Sequence, residues 1–139
     1  MNYAGALTPP ESAALLTAAA DAVLVDVRTL PELVYVGRVP TAAAVEWQQY
    51  PDMTINPNFI AQLRQVANPN SPTLFICRSG GRSHYAAAAA AAAADMRAFN
   101  ILQGFEGDIN NEGRRGQING WRFHGLAWEQ SQPVARAAG

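Results

Sequence analysis

Two short runs of β-branched, aliphatic and aromatic residues stand out from the rest of the chain, Val23-Leu24-Val25-Asp26-Val27 and Thr73-Leu74-Phe75-Ile76. Neither alternates apolar with polar positions, so both predict strands buried on two faces rather than strands of a half-wetted sheet. Between them Phe59, Ile60, Leu63 and Val66 recur at helical spacing. That pattern predicts a helix opening at Asn56-Pro57, running to about Ala67 and closed by Asn68-Pro69-Asn70. Near the start, Thr8-Pro9-Pro10-Glu11 offers a capping threonine, proline in the first turn and an acid three residues on, which predicts a helix to about Ala20. A weaker strand is expected near Ala43 to Glu46 and a last one from Phe99 to Leu102. The Gly-, Asn- and Arg-rich stretch from Gly104 to Gly120 reads as a long surface loop.

After Ser83 and Tyr85 come nine consecutive alanines, Ala86 to Ala94. Alanine maximises helix propensity and keeps no neighbour at a distance, so this helix should lie close to whatever it packs on. The run has no periodicity to name a buried face, and low-complexity drift in an alanine-rich sequence is the alternative origin. It is too weakly apolar, between His84 and Asp95, for a membrane span. Strands alternating with helices point to an α/β fold with a mostly parallel sheet covered on both faces.

A chain of 139 residues is one ordinary domain, long enough to bury roughly two thirds of its unfolded surface without a disulfide or metal. Its formal charge of -1 supplies no field to gather nucleic acid or an acidic membrane. All 10 basic residues are arginine, so a lysine Schiff base is excluded and every cation is a permanent, fork-shaped anion donor. The single cysteine rules out an internal disulfide, a multi-cysteine metal site and an internal resolving thiol. No cofactor or metal is called for. Met1-Asn2-Tyr3-Ala4-Gly5 has neither the basic patch nor the apolar run of a signal peptide, and a cytoplasmic location is expected.

That one cysteine, Cys77, follows Ile76 directly, where a strand hands over to the alanine helix through Arg78-Ser79-Gly80-Gly81-Arg82-Ser83. Ligands of parallel sheets sit at such carboxyl ends. Two glycines allow successive N–H groups to turn inward, and the unsatisfied amides of the helix start add partial positive charge. With the charges of Arg78 and Arg82, the neighbours favour the thiolate over the thiol. A free cysteine more often behaves as a small buried hydrophobe, but a core position has no use for two guanidiniums and two glycines beside it. A phosphate loop is the other reading; its lysine is absent and the cysteine would be unexplained.

The loop Cys77 to Ser83 resembles the active-site loop of single-domain rhodaneses. Val25-Asp26-Val27-Arg28 with Glu32, Gly37, Val39 and Pro40 resembles that family's first signature, and the two together span about residues 22 to 103. The resemblance implies a five-stranded parallel sheet with helices on both faces, a persulfide on Cys77, and transfer of its outer sulfur to cyanide, a thiol or a protein. The chain departs from the family at Arg38, where histidine is usual, and at Thr41, where glycine is usual. After the last strand Gly104 is followed by Phe105 rather than a second glycine, and Trp121 comes only after the long loop. Related cysteine phosphatases and arsenate reductases need five residues between cysteine and arginine to fit a tetrahedral oxyanion; here four separate Cys77 from Arg82.

The expected activity is therefore transfer of sulfane sulfur from a small anionic donor such as thiosulfate, with Cys77 as nucleophile. Amides from Arg78 to Arg82 would stabilise the persulfide and leaving anion, with Arg78 and Arg82 recognising the donor. Ser79, Gly80, Gly81 and Ser83 complete the predicted binding loop. Arg82 has a second possible destination, inward to Asp26 or Glu32. Asp26, Arg28 and Glu32 read as structural support, and His84 is not needed as a base. Trp47, Phe105, Trp121 and Trp128 are either pocket wall or ordinary core; His124 reads as surface. Two other function classes compete: a persulfide relay or protein-binding module docking through residues 104–120, and a phosphatase or arsenate reductase.

Overall fold

The two apolar runs form the middle of the sheet. In the computed structural model, which describes residues 2–130, Val23–Asp26 (β2) and Thr73–Ile76 (β6) pair in parallel, Val23 beside Thr73 and Asp26 beside Ile76. Outward from them lie Ala98–Ile101 (β7) with Gly5–Leu7 (β1) on one side and Ala43–Ala44 (β3) on the other. The order β1-β7-β6-β2-β3 is parallel throughout. All four residues of β6 are buried, as expected of a strand with helices on both faces.

Pro9–Ala18 (α1) starts as predicted: Thr8 N–H donates to Glu11 Oε1 at 2.8 Å and Glu11 N–H donates to Thr8 Oγ1 at 3.4 Å. Phe59–Val66 (α3) begins two residues after Asn56-Pro57, because Asn56 turns the chain before the helix, its Oδ1 accepting the Asn58 N–H at 2.9 Å. Gly81–Ala94 (α4) contains the alanine run. Its buried face is Ala86, Ala87, Ala90 and Ala94, packed with Phe59 and Leu63 of α3 against Val25 and Phe75. The opposite core holds Leu24, Leu74, Ile76 and Ile101 against Leu15 and Leu16 of α1, with Phe105 and Trp121.

Four short elements lie outside the predicted ones, although Thr29, Pro31 and Glu32 repeat the capping box and first-turn proline of α1. β1 is three residues long, Leu30–Tyr35 (α2) is one and a half turns, and Gln48–Gln49 (β4) pairs antiparallel with Thr54–Ile55 (β5). The segment from Gly104 also departs from a surface loop at its beginning: Gly104, Phe105, Glu106 and Gly107 are buried. They run beside the start of the Cys77 loop, where Phe105 N–H donates to Cys77 O at 2.8 Å and Glu106 N–H to Arg78 O at 3.0 Å. No helix among the described residues is long and apolar enough to cross a membrane.

Candidate active site

Cys77 stands at the carboxyl end of β6, the central strand, with the ends of β2 and β7 on either side. Gly80 N–H donates to its Sγ at 3.1 Å, and Ser83 Oγ lies 3.2 Å from the same sulfur. Gly80 has φ +110°, a left-handed conformation that folds this amide back onto the sulfur and is cheap only for glycine. Gly81, Arg82 and Ser83 open α4, so their amides are the unsatisfied first N–H groups of a fourteen-residue helix. Cys77 is 1% exposed and belongs to the buried core cluster that includes Val25, Phe75 and Ala87.

Both loop arginines meet carboxylates. Arg82 forms a two-pronged pair with Glu32, Nη1 to Oε1 at 2.7 Å and Nη2 to Oε2 at 2.8 Å, taking one of its two inward destinations. Glu32 Oε1 also accepts from Thr29 N–H at 3.1 Å and Thr29 Oγ1 at 2.9 Å. Burial works to raise the Glu32 pKa, and the Arg82 hydrogen bonds and charge, with the Thr29 bonds, outweigh it and hold the carboxyl down at about 2. In return the Glu32 bond raises the Arg82 guanidinium above its ordinary value. Arg78 is half exposed, with Nε 3.2 Å from Glu106 Oε2. These four side chains sum to no net charge.

Arg28 and Asp26 face the interior. Arg28 is fully buried, its Nε and Nη2 reach Asp26 at 3.0 and 2.8 Å, and Nη2 donates to Gly37 O at 2.7 Å. The Arg28 guanidinium lies 4.3 Å from the Phe105 ring centre, which ties the end of β2 to the segment after β7.

Beside the loop is a cleft of about 400 Å³ lined by Thr29, Pro31, Glu32, Val36, Tyr50, Met53, Arg78 and Arg82. None of the four aromatic residues considered from sequence lines it. Phe105 and Trp121 are core, Trp47 packs edge-on to Phe59, and Trp128 packs edge-on to Phe105. His84 is held by Tyr3, whose hydroxyl lies 2.8 Å from Nδ1, and His124 is exposed, with Nε2 3.2 Å from Gln103 Oε1. Among the described residues no group of three or more His, Cys, Asp and Glu has metal-binding geometry.

Two residues at the site escape sequence reasoning. Glu106 anchors Arg78, and Asn100 of β7 accepts the Ser83 hydroxyl at 2.6 Å. Asn100 did carry a signal, a polar side chain inside the apolar run Phe99 to Leu102, since such a group is buried only with partners.

Residues 8–110 match the model of the rhodanese-like domain. Protein RP600 of Rickettsia prowazekii is 34% identical over 111 residues, covering 78% of this chain and 84% of that one. The crystal structure of Rv0390 from M. tuberculosis is similar with a TM-score of 0.85 and 42% identity, over 93% of this chain and 99% of that one. A thiosulfate sulfurtransferase from Pseudomonas aeruginosa shares the fold, with a TM-score of 0.62 and 19% identity over 92% of this chain and 20% of that one. With its family model matched along most of its length and the signature cysteine at the end of the central strand, the chain belongs to the rhodanese-like domain family.

Proposed function

We propose that the protein is a sulfurtransferase that carries sulfane sulfur as a persulfide on Cys77, loaded by a small anionic donor such as thiosulfate and discharged to cyanide, a thiol or a protein thiol. The observation that carries this reading is the single sulfur between β6 and α4, with Gly80 N–H on it at 3.1 Å and the unsatisfied amides that open α4 within the same loop. In the loading step the Cys77 thiolate attacks the outer sulfur of thiosulfate. One S–S bond forms as another breaks, and sulfite leaves with the bonding pair. The negative charge then rests on an outer sulfur about 2 Å from Sγ, displaced toward the amide groups. In the second step the acceptor takes that sulfur and the thiolate returns, so no external reductant is needed. A free catalytic thiol fits a reducing compartment such as the cytoplasm.

The relay reading rests on the same persulfide and differs only in accepting from and donating to proteins. Incubation with thiosulfate followed by cyanide separates the possibilities. A mass gain of one sulfur atom, removed by a thiol, with thiocyanate release supports the enzyme; a persulfide that only protein thiols discharge supports the relay. Cys77→Ser should abolish loading altogether. A variant that still gains the sulfur would remove Cys77 as the nucleophile, and phosphate release from a phosphoester without sulfur loading would favour the phosphatase class.

A further inference from the structure

Cys77 has two neighbours at hydrogen-bond distance, Gly80 N–H and Ser83 Oγ, and one side chain bonds to both residues. Asn100 Oδ1 accepts the Ser83 hydroxyl at 2.6 Å, and Asn100 Nδ2 donates to Gly80 O at 3.3 Å. Cys77, Ser83 and Asn100 are each at most 3% exposed, so water is not available to replace a missing partner. A hydroxyl has one proton. While Ser83 gives that proton to Asn100, only its lone pairs face Sγ at 3.2 Å, an arrangement that suits a thiol donating to the hydroxyl and not a thiolate. A thiolate needs the hydroxyl proton turned toward it. Ser83 Oγ then needs a donor in place of the acceptor it has lost.

An amide is the side chain that serves both cases, because its oxygen and nitrogen ends are nearly the same size and exchange places on a half-turn. Turning releases the 2.6 Å bond from the Ser83 hydroxyl and the 3.3 Å contact to Gly80 O, the second already beyond the ordinary length of an N–H···O bond, and sets Oδ1 beside that carbonyl. The bond gained sets Nδ2 against Ser83 Oγ. We propose that Asn100 is a positioning residue that matches the Ser83 hydroxyl to the protonation state of Cys77, turning its amide end for end as the thiol gives way to the thiolate. This rests on the reading of Cys77 as the reacting group, and its test uses the thiol itself rather than sulfur transfer.

Asn100→Asp is the informative change, since a carboxylate only accepts and keeps the Ser83 proton away from the sulfur. The ultraviolet absorbance of the thiolate, taken as the difference from Cys77→Ser across pH, reads the single cysteine directly. The expected result is a thiolate fraction at neutral pH lower by about tenfold in Asn100→Asp. In a Ser83→Ala background the same change should cost less than about threefold, because the hydroxyl through which Asn100 acts is gone. Should the variant not fold, the unaltered protein still decides the matter: the Asn100 side-chain NH2 resonances should shift together with the thiolate absorbance. An Asn100→Asp curve that overlays the parent, an effect undiminished without Ser83, or amide resonances that ignore the ionisation of Cys77 would each overturn the proposal. Loss of thiosulfate loading with these responses intact would instead count against the sulfurtransferase reading.

Discussion

Glu32→Gln separates the charge of the loop's principal ion pair from its shape. The substitution keeps an oxygen for the Thr29 bonds, now 3.1 and 2.9 Å, and removes the negative charge facing Arg82. Moving the Glu32 pKa from 4.5 in the unfolded chain to about 2 in the folded one would correspond to roughly 3 kcal/mol at full strength. Both side chains keep contact with water, 19% exposed for Arg82 and 21% for Glu32, so screening reduces the figure to about 1 to 2 kcal/mol. Because the folded pKa is the lower one, this stability is fully present above about pH 4.5 and is lost as the pH falls toward 2. Urea unfolding at pH 7 should show the variant less stable by about 1 to 2 kcal/mol, or a Tm lower by roughly 4 to 8 °C. On acidification the protonated carboxyl becomes nearly isosteric with the amide and the gap should close. A gap that stays constant from pH 5 to pH 2, or no gap at pH 7, would refute the reasoning.

Gly104→Ala tests how firmly the segment after β7 holds the loop: a Cβ there would lie 2.5 Å from Arg78 C and 2.6 Å from Cys77 O, at a residue with φ +64°. Destabilisation of more than about 3 kcal/mol in urea is expected, and a near-neutral result would mean the segment yields freely. The alanine helix is tested by a pair of leucines. Ala87→Leu, at a fully buried position, should cost about 1 to 3 kcal/mol, whereas Ala92→Leu, on the exposed face, should stay within about 0.5 kcal/mol by thermal unfolding.

What the sequence made legible was whatever announces itself locally. The strands Val23–Asp26 and Thr73–Ile76 are unbroken apolar runs, and Thr8 to Glu11 is a helix start with a specific hydrogen-bond pattern, so both were readable without tertiary context. Gly5–Leu7 was not, because three residues become a strand only where β7 offers them a partner. The buried face of the alanine helix was not either: Ala87 and Ala92 are chemically identical, and only the position of the sheet distinguishes them. At the site, the loop from Cys77 to Ser83 was legible as a motif. Its supports Asn100 and Glu106 lie 17 residues beyond Ser83 and 28 beyond Arg78, separations that no spacing rule signals. Arg82 was left with two destinations because charge says that it needs a partner, while only the placement of α2 says that the partner is Glu32.

The electrical balance of the loop bears on what it accepts. Arg82 is committed to Glu32, whereas Arg78 shares Glu106 with Arg122. To grip a tetrahedral group with Arg82, the loop would have to release a two-pronged pair with bonds of 2.7 and 2.8 Å, leaving a partly buried carboxylate without its cation. A single sulfur asks for much less. Its charge is diffuse, it is one atom across, and the donors it needs are N–H groups that the start of α4 leaves unsatisfied in any case. The same two arginines that first suggested an anion site thus leave, once paired, the backbone amides as the donors for a single sulfur, and a tetrahedral donor such as thiosulfate would have to enter with its outer sulfur foremost and its oxygens outside the loop.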